Sequence, residues 1–366
     1  MSASIENDWK SRREGGGFAP MWMLIRLASR LGRGVVRPLL WPITAYFLLR
    51  RGPERRGSIN YLSRVLGRPA TLRDGARHVH TFASTILDRV FLLGGDLDRF
   101  DVEVSGLDDL HRLLDQGRGV LLFGSHLGSF EVLRVLATRR PDYIIRVVLD
   151  KSQSPALMKL LDALNPTIAN SVIDAARDGP SVAIAMKAAL DDGALVAMLV
   201  DRARPDEPAI AVPFLGEPAR FPTTPWLVAA ALKVPVALGF GLYRGGRRYQ
   251  LHFESFADQT VDVPRNARAQ ALALLIRRYA SRLETTTRDA PYNWFNFYDF
   301  WSVDAQPSPA ALDDAALRRR TAVRRGGAAS GPPRATPSAR RRVGSAARRS
   351  CACPRPRRRP RPRRRA

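Results

Sequence analysis

Short apolar runs alternate with longer stretches of helical periodicity along most of this 366-residue chain. Residues 119–123, 143–149 and 194–200 are nearly all apolar, the pattern of strands covered on both faces. Residues 101–104, Asp-Val-Glu-Val, alternate as a half-covered strand does. Helical spacing marks 61–93, 107–116, 154–164, 182–191, 226–232 and 267–285. In the first of these, Val79, Phe82, Ala83, Ile86, Val90 and Leu93 recur at three- and four-residue intervals. Residues 236–242 and 249–253 flank the pair Gly245-Gly246 and read as a hairpin. A Pro-rich polar loop spans 203–209. Strands that alternate with helices predict an α/β fold, a mostly parallel central sheet flanked by helices.

The start of the chain has a different pattern. Arg26, Arg30, Arg33 and Arg37 recur at helical spacing and predict one basic face, with Leu24, Leu27, Ala28, Leu31 and Val35 on another. Trp22 and Trp41 stand near the two ends. This is the pattern of an amphipathic membrane-anchoring helix lying in the interface. The longest stretch without a charge, 38–49, has 12 residues. A spanning helix needs about 17–25. A monotopic anchor is therefore expected; a helix packed on the protein's own core, its arginines solvated, is the other reading. Pro38 and Pro42 predict a break into two pieces. A basic cluster follows at 50–56, with a turn at Gly52-Pro53. No small-residue cleavage site follows a clean apolar run, so no cleavable leader is expected.

Charge changes the picture mainly at the other end. The net charge is +25, but residues 318–366 hold 19 arginines and no acid. Subtracting these 19 leaves +6 for residues 1–317. Such an Arg- and Pro-rich segment cannot bury enough apolar surface to offset chain entropy, and disorder is expected. Both cysteines, Cys351 and Cys353, lie there, so the body has no disulfide, thiol nucleophile or cysteine metal site. His78 and His80 face different sides of their helix, and no metal or other cofactor is expected. The expected division is an N-terminal membrane-associating segment at 1–56, a catalytic domain at 57–302 and a disordered tail at 303–366. An alternative reading is a polyanion- or nucleic-acid-binding protein led by its tail. The tail has no aromatic residue to stack on bases, so specific nucleic-acid recognition is not expected. A third reading is a membrane scaffold without catalysis.

The candidate chemistry lies in residues 119–134. A strand ends near Phe123, and Ser129 reads as the N-cap of a following helix with Glu131 in its first turn. Between them a turn carries His126, five residues before Glu131. A strand end places the imidazole at the sheet's carboxyl edge, where open α/β sheets bind ligands. A carboxylate on one ring nitrogen fixes the tautomer and raises the basicity of the other. The competing reading is a structural histidine with a chance acid. His78, His80, His111 and His252 have no acid five residues on. Asp201-Arg202 ends another apolar run and would share the same edge. No G-x-S-x-G, P-loop or strand-linked G-x-G-x-x-G occurs.

Ser125-His-Leu-Gly-Ser-Phe-Glu131 resembles the H-x4-[DE] block of the lysophospholipid acyltransferase superfamily. Asp201-Arg202, Val212-Pro-Phe-Leu-Gly216 and Phe221-Pro222 resemble a later block, and Ala290-Pro-Tyr-Asn-Trp294 the final Pro-x-x-x-Trp block. Together, and in this order, they are most similar to bacterial lipid A biosynthesis (lauroyl/myristoyl) acyltransferases. Within that group the chain looks like a branch found beside aryl polyene and other polyketide-like gene sets. The resemblance covers about residues 10–302. It implies an acyltransferase on the cytoplasmic face of the inner membrane, peripheral or monotopic. The implied donor is an acyl carrier protein thioester (or acyl-CoA), the acceptor a lipid or glycolipid hydroxyl, and the surface an anionic membrane. His126 and Glu131 are the implied catalytic pair. Ser125, Gly128, Arg146, Lys151, Asp201 and Arg202 are the implied substrate-binding residues. Amides of the Gly-rich turn or the Arg202 guanidinium would hold the oxyanion. One departure stands out. The lipid A enzymes carry an Arg-Pro-x-x-Asn-Pro-like segment after the second strand. Here it reads Leu149-Asp-Lys-Ser-Gln-Ser-Pro155, so Arg146 or Lys151 would substitute.

Overall fold

The computed structural model describes residues 26–301 except 29, 134–142, 153–154 and 204–206. All of these lie within one unit of the chain, Met1–Pro307. The Arg-rich tail, the first 25 residues and the expected helix beyond residue 133 fall outside the described residues.

Nine strands are described: β1 (Asp101–Ser105), β2 (Val120–Gly124), β3 (Ile145–Leu149), β4 (Val172–Asp174), β5 (Leu195–Leu199), β6 (Ala209–Phe214), β7 (Glu217–Pro222), β8 (Val236–Gly245) and β9 (Arg248–Ala257). The longer helices are α1 (Leu40–Arg50), α2 (Gly52–Leu66), α3 (Leu72–Gly94), α4 (Leu107–Leu114), α5 (Pro155–Leu164), α6 (Gly179–Asp191), α7 (Thr224–Leu232) and α8 (Arg268–Asp289). Seven strands form one sheet in the order β1-β9-β8-β2-β5-β3-β4. Every pairing in it is parallel except the β8–β9 hairpin.

The all-apolar sequence of β2 follows from its place in the middle of this sheet. Leu121 and Phe123 point into a core shared with Tyr61 of α2, Leu190 of α6, Trp226 of α7 and Tyr279 of α8. Val120 and Leu122 point into the opposite core, with Leu87 and Val90 of α3 and Leu113 of α4. Helices on both faces leave no position for a polar side chain. The expected mostly parallel α/β sheet is therefore present.

Several local expectations give way. The single helix expected over 61–93 is two. Gly67 closes α2 in the left-handed conformation with φ of 64°. Thr71 and Asp74 then open α3 with a reciprocal capping box. The Pro-rich stretch after Asp201 contains strands, β6 and β7, paired in their own two-stranded sheet. Prolines are tolerated there because short edge strands leave ladder groups unpaired. Leu215 and Gly216, with φ of 52° and 88°, make the two-residue turn between them.

The N-terminal segment is corrected most. Gly32, with φ of 80°, interrupts the helix, so the four arginines do not form one face. Arg33 turns inward and is 8% exposed. Its Nε lies 2.5 Å from Asp88 of α3, and Tyr249 donates to the same carboxylate at 2.9 Å. Arg26 and Arg30 remain exposed, and with them the large apolar side chains of Leu31, Val35, Leu39, Trp41, Ile43, Tyr46 and Leu49. A 3-10 turn at Arg37–Leu39 separates the pieces near Pro38, where a break was expected. The turn expected at Gly52-Pro53 is the first turn of α2, where proline's missing N–H costs nothing. Among the described residues, no helix is long and apolar enough to cross a membrane.

Candidate active site

His126 stands two residues beyond β2, and Asp201 two beyond β5. The two strands are parallel neighbours with Gly124 opposite Leu199. Continuing that register sets His126 opposite Asp201 at the carboxyl edge. Two contacts join them: the His126 amide donates to Asp201 Oδ2 at 3.0 Å, and Nδ1 lies 2.8 Å from Oδ1. The Trp294 indole donates to Oδ2 at 2.9 Å. Asp201 is fully buried. Burial alone would push its carboxyl up, but His126, Arg202 and the indole outweigh it and hold the group well below the usual carboxylate range. An ionised carboxylate only accepts, which assigns the proton to Nδ1.

The His126 ring titrates below its ordinary value. Packed surroundings are the main cause, and the Arg202 and Arg89 charges add to it, against the opposing pull of Asp201. The imidazole is therefore neutral at pH 7, with its Nε2 lone pair available. Its side chain is 39% exposed, so a molecule outside the chain can reach that nitrogen.

The turn that holds the ring is stapled to the C-terminal aromatic block. Phe295 N donates to His126 O at 3.0 Å and Gly128 N to Asn293 O at 2.8 Å. Ser129 N donates to Gly241 O of β8 at 2.7 Å. Asn293 completes the link, accepting from Tyr243 N at 2.7 Å and donating to Tyr243 O at 3.2 Å. Glycine is required at 128, where φ is +66° and an added Cβ would lie 2.0 Å from Gly241 O. Behind Trp294, His78 is buried between Ser58 and the Trp294 carbonyl, with Nδ1 at 2.8 Å and Nε2 at 3.0 Å. Burial lowers its pKa to about 4.

Glu131 is not the carboxylate on His126. Ser129 Oγ donates to its Oε2 at 2.9 Å, and Arg89 Nε lies 2.6 Å from Oε1. Residues Phe130–Leu133 form a 3-10 turn, and the Ser129 side chain donates to Glu131; the rest of the expected helix lies outside the described residues. The position on Nδ1 belongs to Asp201 because parallel register, not local spacing, decides what lies opposite a strand end. Of the expected oxyanion donors, the His126, Gly128 and Ser129 amides are engaged as above, and Arg202 donates one terminal nitrogen to Phe295 O at 2.7 Å while lying over the Tyr298 ring; its Nε has no partner in hydrogen-bond geometry.

The other expected residues divide. Ser125 is buried, and its Oγ has no partner in hydrogen-bond geometry; the nearby Tyr279 phenol donates instead to Gly124 O at 2.9 Å. Lys151 follows the end of β3 at the carboxyl edge, and its amide donates to Asp174. Arg146 does not reach that edge. It is the second residue of β3, opposite Val196, which precedes Asp201 by five residues. Sequence reasoning missed Arg89, which no motif marks, and the indole and amide roles of Trp294 and Asn293. Among the described residues, no three of His, Cys, Asp or Glu come together to hold a metal ion.

A neutral, carboxylate-held histidine at the carboxyl edge of a parallel α/β sheet has the chemistry needed to take a proton from a molecule outside the chain. The profile of the bacterial lipid A biosynthesis acyltransferase family matches residues 97–302, more than half of the 366, and the chain belongs to that family. It is thus an acyltransferase of a membrane-lipid biosynthesis family. No curated protein matches it. The matched stretch contains His126, Asp201 and the aromatic block, but not α1, α2 or α3.

Proposed function

We propose that this enzyme moves an acyl chain from the thioester of an acyl carrier protein to a hydroxyl of a lipid or glycolipid at a membrane surface. His126 is the general base, and Asp201 is the carboxylate that orients it. The observation that carries this reading is the neutral imidazole with Nδ1–H on buried Asp201 and Nε2 open, in a chain of an acyltransferase family. The acceptor oxygen attacks the thioester carbon as Nε2 takes its proton. Collapse of the tetrahedral intermediate breaks the C–S bond, and the sulfur leaves with the proton from Nε2. The acceptor itself attacks, so no acyl-enzyme is required. Asp201 offsets the charge of the transient imidazolium without taking its proton.

The exposed Leu31–Leu49 side chains support contact with a lipid surface, since large apolar patches on a folded chain mark interaction sites. The basic balance of residues 1–317 favours an acidic carrier protein and anionic lipid. The test uses purified enzyme, lauroyl carrier protein or lauroyl-CoA, and a hydroxyacylated glucosamine disaccharide in mixed micelles. Carrier-protein thiol should appear in step with acylated lipid, and the CoA donor should be the slower. His126→Ala should lose about 10²–10⁴-fold in turnover. Near wild-type turnover in that variant ends the general-base reading, and equal rates with both donors end the carrier-protein part.

A further inference from the structure

Trp294 grips both His126 and Asp201. Its backbone forms an antiparallel bridge with Leu127, the residue after His126, and the next amide, Phe295 N, donates to His126 O at 3.0 Å. Its indole N–H donates to Asp201 Oδ2 at 2.9 Å. The His126 amide donates to the same oxygen at 3.0 Å, which leaves Oδ1 for the ring at 2.8 Å. Trp294 is itself held on several sides. Its carbonyl meets His78 Nε2 at 3.0 Å. Its fully buried ring packs edge-on against Tyr61, Phe214 and Phe300, at centroid distances of 5.0, 5.3 and 5.0 Å. The bland account is that the carboxylate merely satisfies a buried indole. Trp226 argues against it: it is equally buried, and its indole nitrogen has no partner in hydrogen-bond geometry. This fold tolerates a buried indole without an acceptor, so the need to pair one does not explain why the acid on His126 accepts from Trp294.

We infer that Trp294 is a positioning residue of the reaction: its indole locks the Asp201 carboxylate against rotation and draws on its charge, which sets both the direction of the His126 ring and its basicity. This rests on the acyl-transfer reading above. Two donors on Oδ2 hold the carboxylate in one orientation. That orientation fixes where Nδ1–H must point, and with it Nε2 on the other side of the ring. A base misplaced by about 1 Å loses rate heavily. The second effect is electrostatic. A carboxylate that shares its charge with a donor attracts an imidazolium less, so the indole holds down the basicity that Asp201 gives His126. Among the described residues, the other charged and titratable groups facing this pair are Arg202 beside β5, Arg89 of α3 with its partner Glu131, Tyr279 of α8, Tyr298 of the aromatic block, and His78 behind Trp294. Both tyrosines and His78 are neutral at pH 7. Arg202 and Arg89 act on the imidazole in the same direction as the indole.

The experiment replaces Trp294 of the full-length enzyme by β-(3-benzothienyl)alanine, which puts sulfur where the N–H stands and keeps the shape of the ring. Trp294→Phe is the second variant, made alone and together with Asp201→Asn. Donor and acceptor are those named above. Loss of the indole N–H should lower kcat by about 10–100-fold. KM should stay within about threefold, because Trp294 is buried and acts only through Asp201. The acid limb of kcat/KM should move to higher pH, since Asp201 then pulls harder on the imidazolium. In the Asp201→Asn enzyme, adding Trp294→Phe should cost less than about threefold, because the carboxylate it serves is already gone. A merely structural tryptophan would lower the Tm and leave the limb where it is. In the benzothienyl enzyme, a kcat within about threefold of wild type or an unmoved limb overturns the inference. So does a Trp294→Phe loss of equal size with and without Asp201→Asn. An inactive His126→Ala enzyme beside either result leaves the acyl-transfer reading standing, and an active one overturns both. Should Trp294→Phe fail to fold, the benzothienyl enzyme decides alone.

Discussion

The turn around His126 and the segment before α2 solve opposite problems. Around His126 most polar groups have a protein partner, Ser125 Oγ and Arg202 Nε excepted. Asp201 accepts from an amide, an imidazole and an indole, and Asn293 bonds both backbone polar groups of Tyr243. One nitrogen, Nε2, is left facing outward. Before α2, Arg33 is hidden while several large apolar side chains lie outside: Arg33 is 8% exposed and Leu49 78% exposed. A reaction site needs a fixed geometry, because misplacement of a base by about 1 Å costs rate heavily. The segment before α2 is attached to the body by the Arg33–Asp88 pair and keeps apolar area outside. Both regions are tied to α3, where Asp88 pairs with Arg33 and Arg89 with Glu131 of the turn.

The comparison breaks most sharply at Asp201. Asp201→Asn keeps the shape but loses the charge that selects Nδ1–H and supports the imidazolium. Turnover should fall by about 10²–10⁴-fold, with binding to lipid vesicles unchanged. A loss no larger than that of Glu131→Gln would return the orienting role to the motif acid. Steady-state kinetics on both variants separates the two.

A smaller effect sharpens how the site is supported. His78 is buried under Trp294 with its pKa lowered to about 4 by burial. In the unfolded chain it takes up a proton below about 6.5, but in the folded chain only near 4. Its contribution to stability is therefore present above pH 6.5 and is lost as pH falls toward 4. By pH 5 the loss should be about 2 kcal/mol. His126 shifts in the same direction, so the comparison needs His78→Gln, whose denaturant midpoints should change less between pH 7.5 and pH 5. An equal change in both proteins would refute the assignment.

The smallest effect belongs to the apolar segment. Leu39→Glu and Leu49→Glu should each weaken sedimentation with anionic vesicles about fivefold, as expected for removing a partly buried leucine from lipid. Their activity on micellar substrates should hold. Salt should weaken vesicle binding only in part, because exposed apolar area acts beside the exposed Arg26 and Arg30. Full release by salt would show that charge, not apolar area, holds the enzyme.

Much of the sheet was legible in the chain. Apolar runs as short as β2, β3 and β5 have few alternatives when helices alternate with them, and the ordered blocks at 125–131, 201–222 and 290–294 carried the family resemblance. The helix break at Gly67 was legible too, but masked by strong periodicity on both sides. The strands β6 and β7 were hidden by their own prolines. The direction of Arg33 was hidden because its partner lies 55 residues away.

The sequence by itself determined that His126 would stand at a strand end, in a glycine-bearing turn, with an acid at hand. Those are local matters of strand length, turn conformation and charge. Only the tertiary structure decided which acid that would be. Glu131 is five residues from His126 and Asp201 is 75, yet the parallel register of β2 and β5 brings the distant carboxylate to 2.8 Å. The near one is turned toward Arg89 of α3. Sequence spacing sets what a turn can reach. Strand pairing and helix packing set what reaches it, and those depend on the burial of apolar faces far from the site.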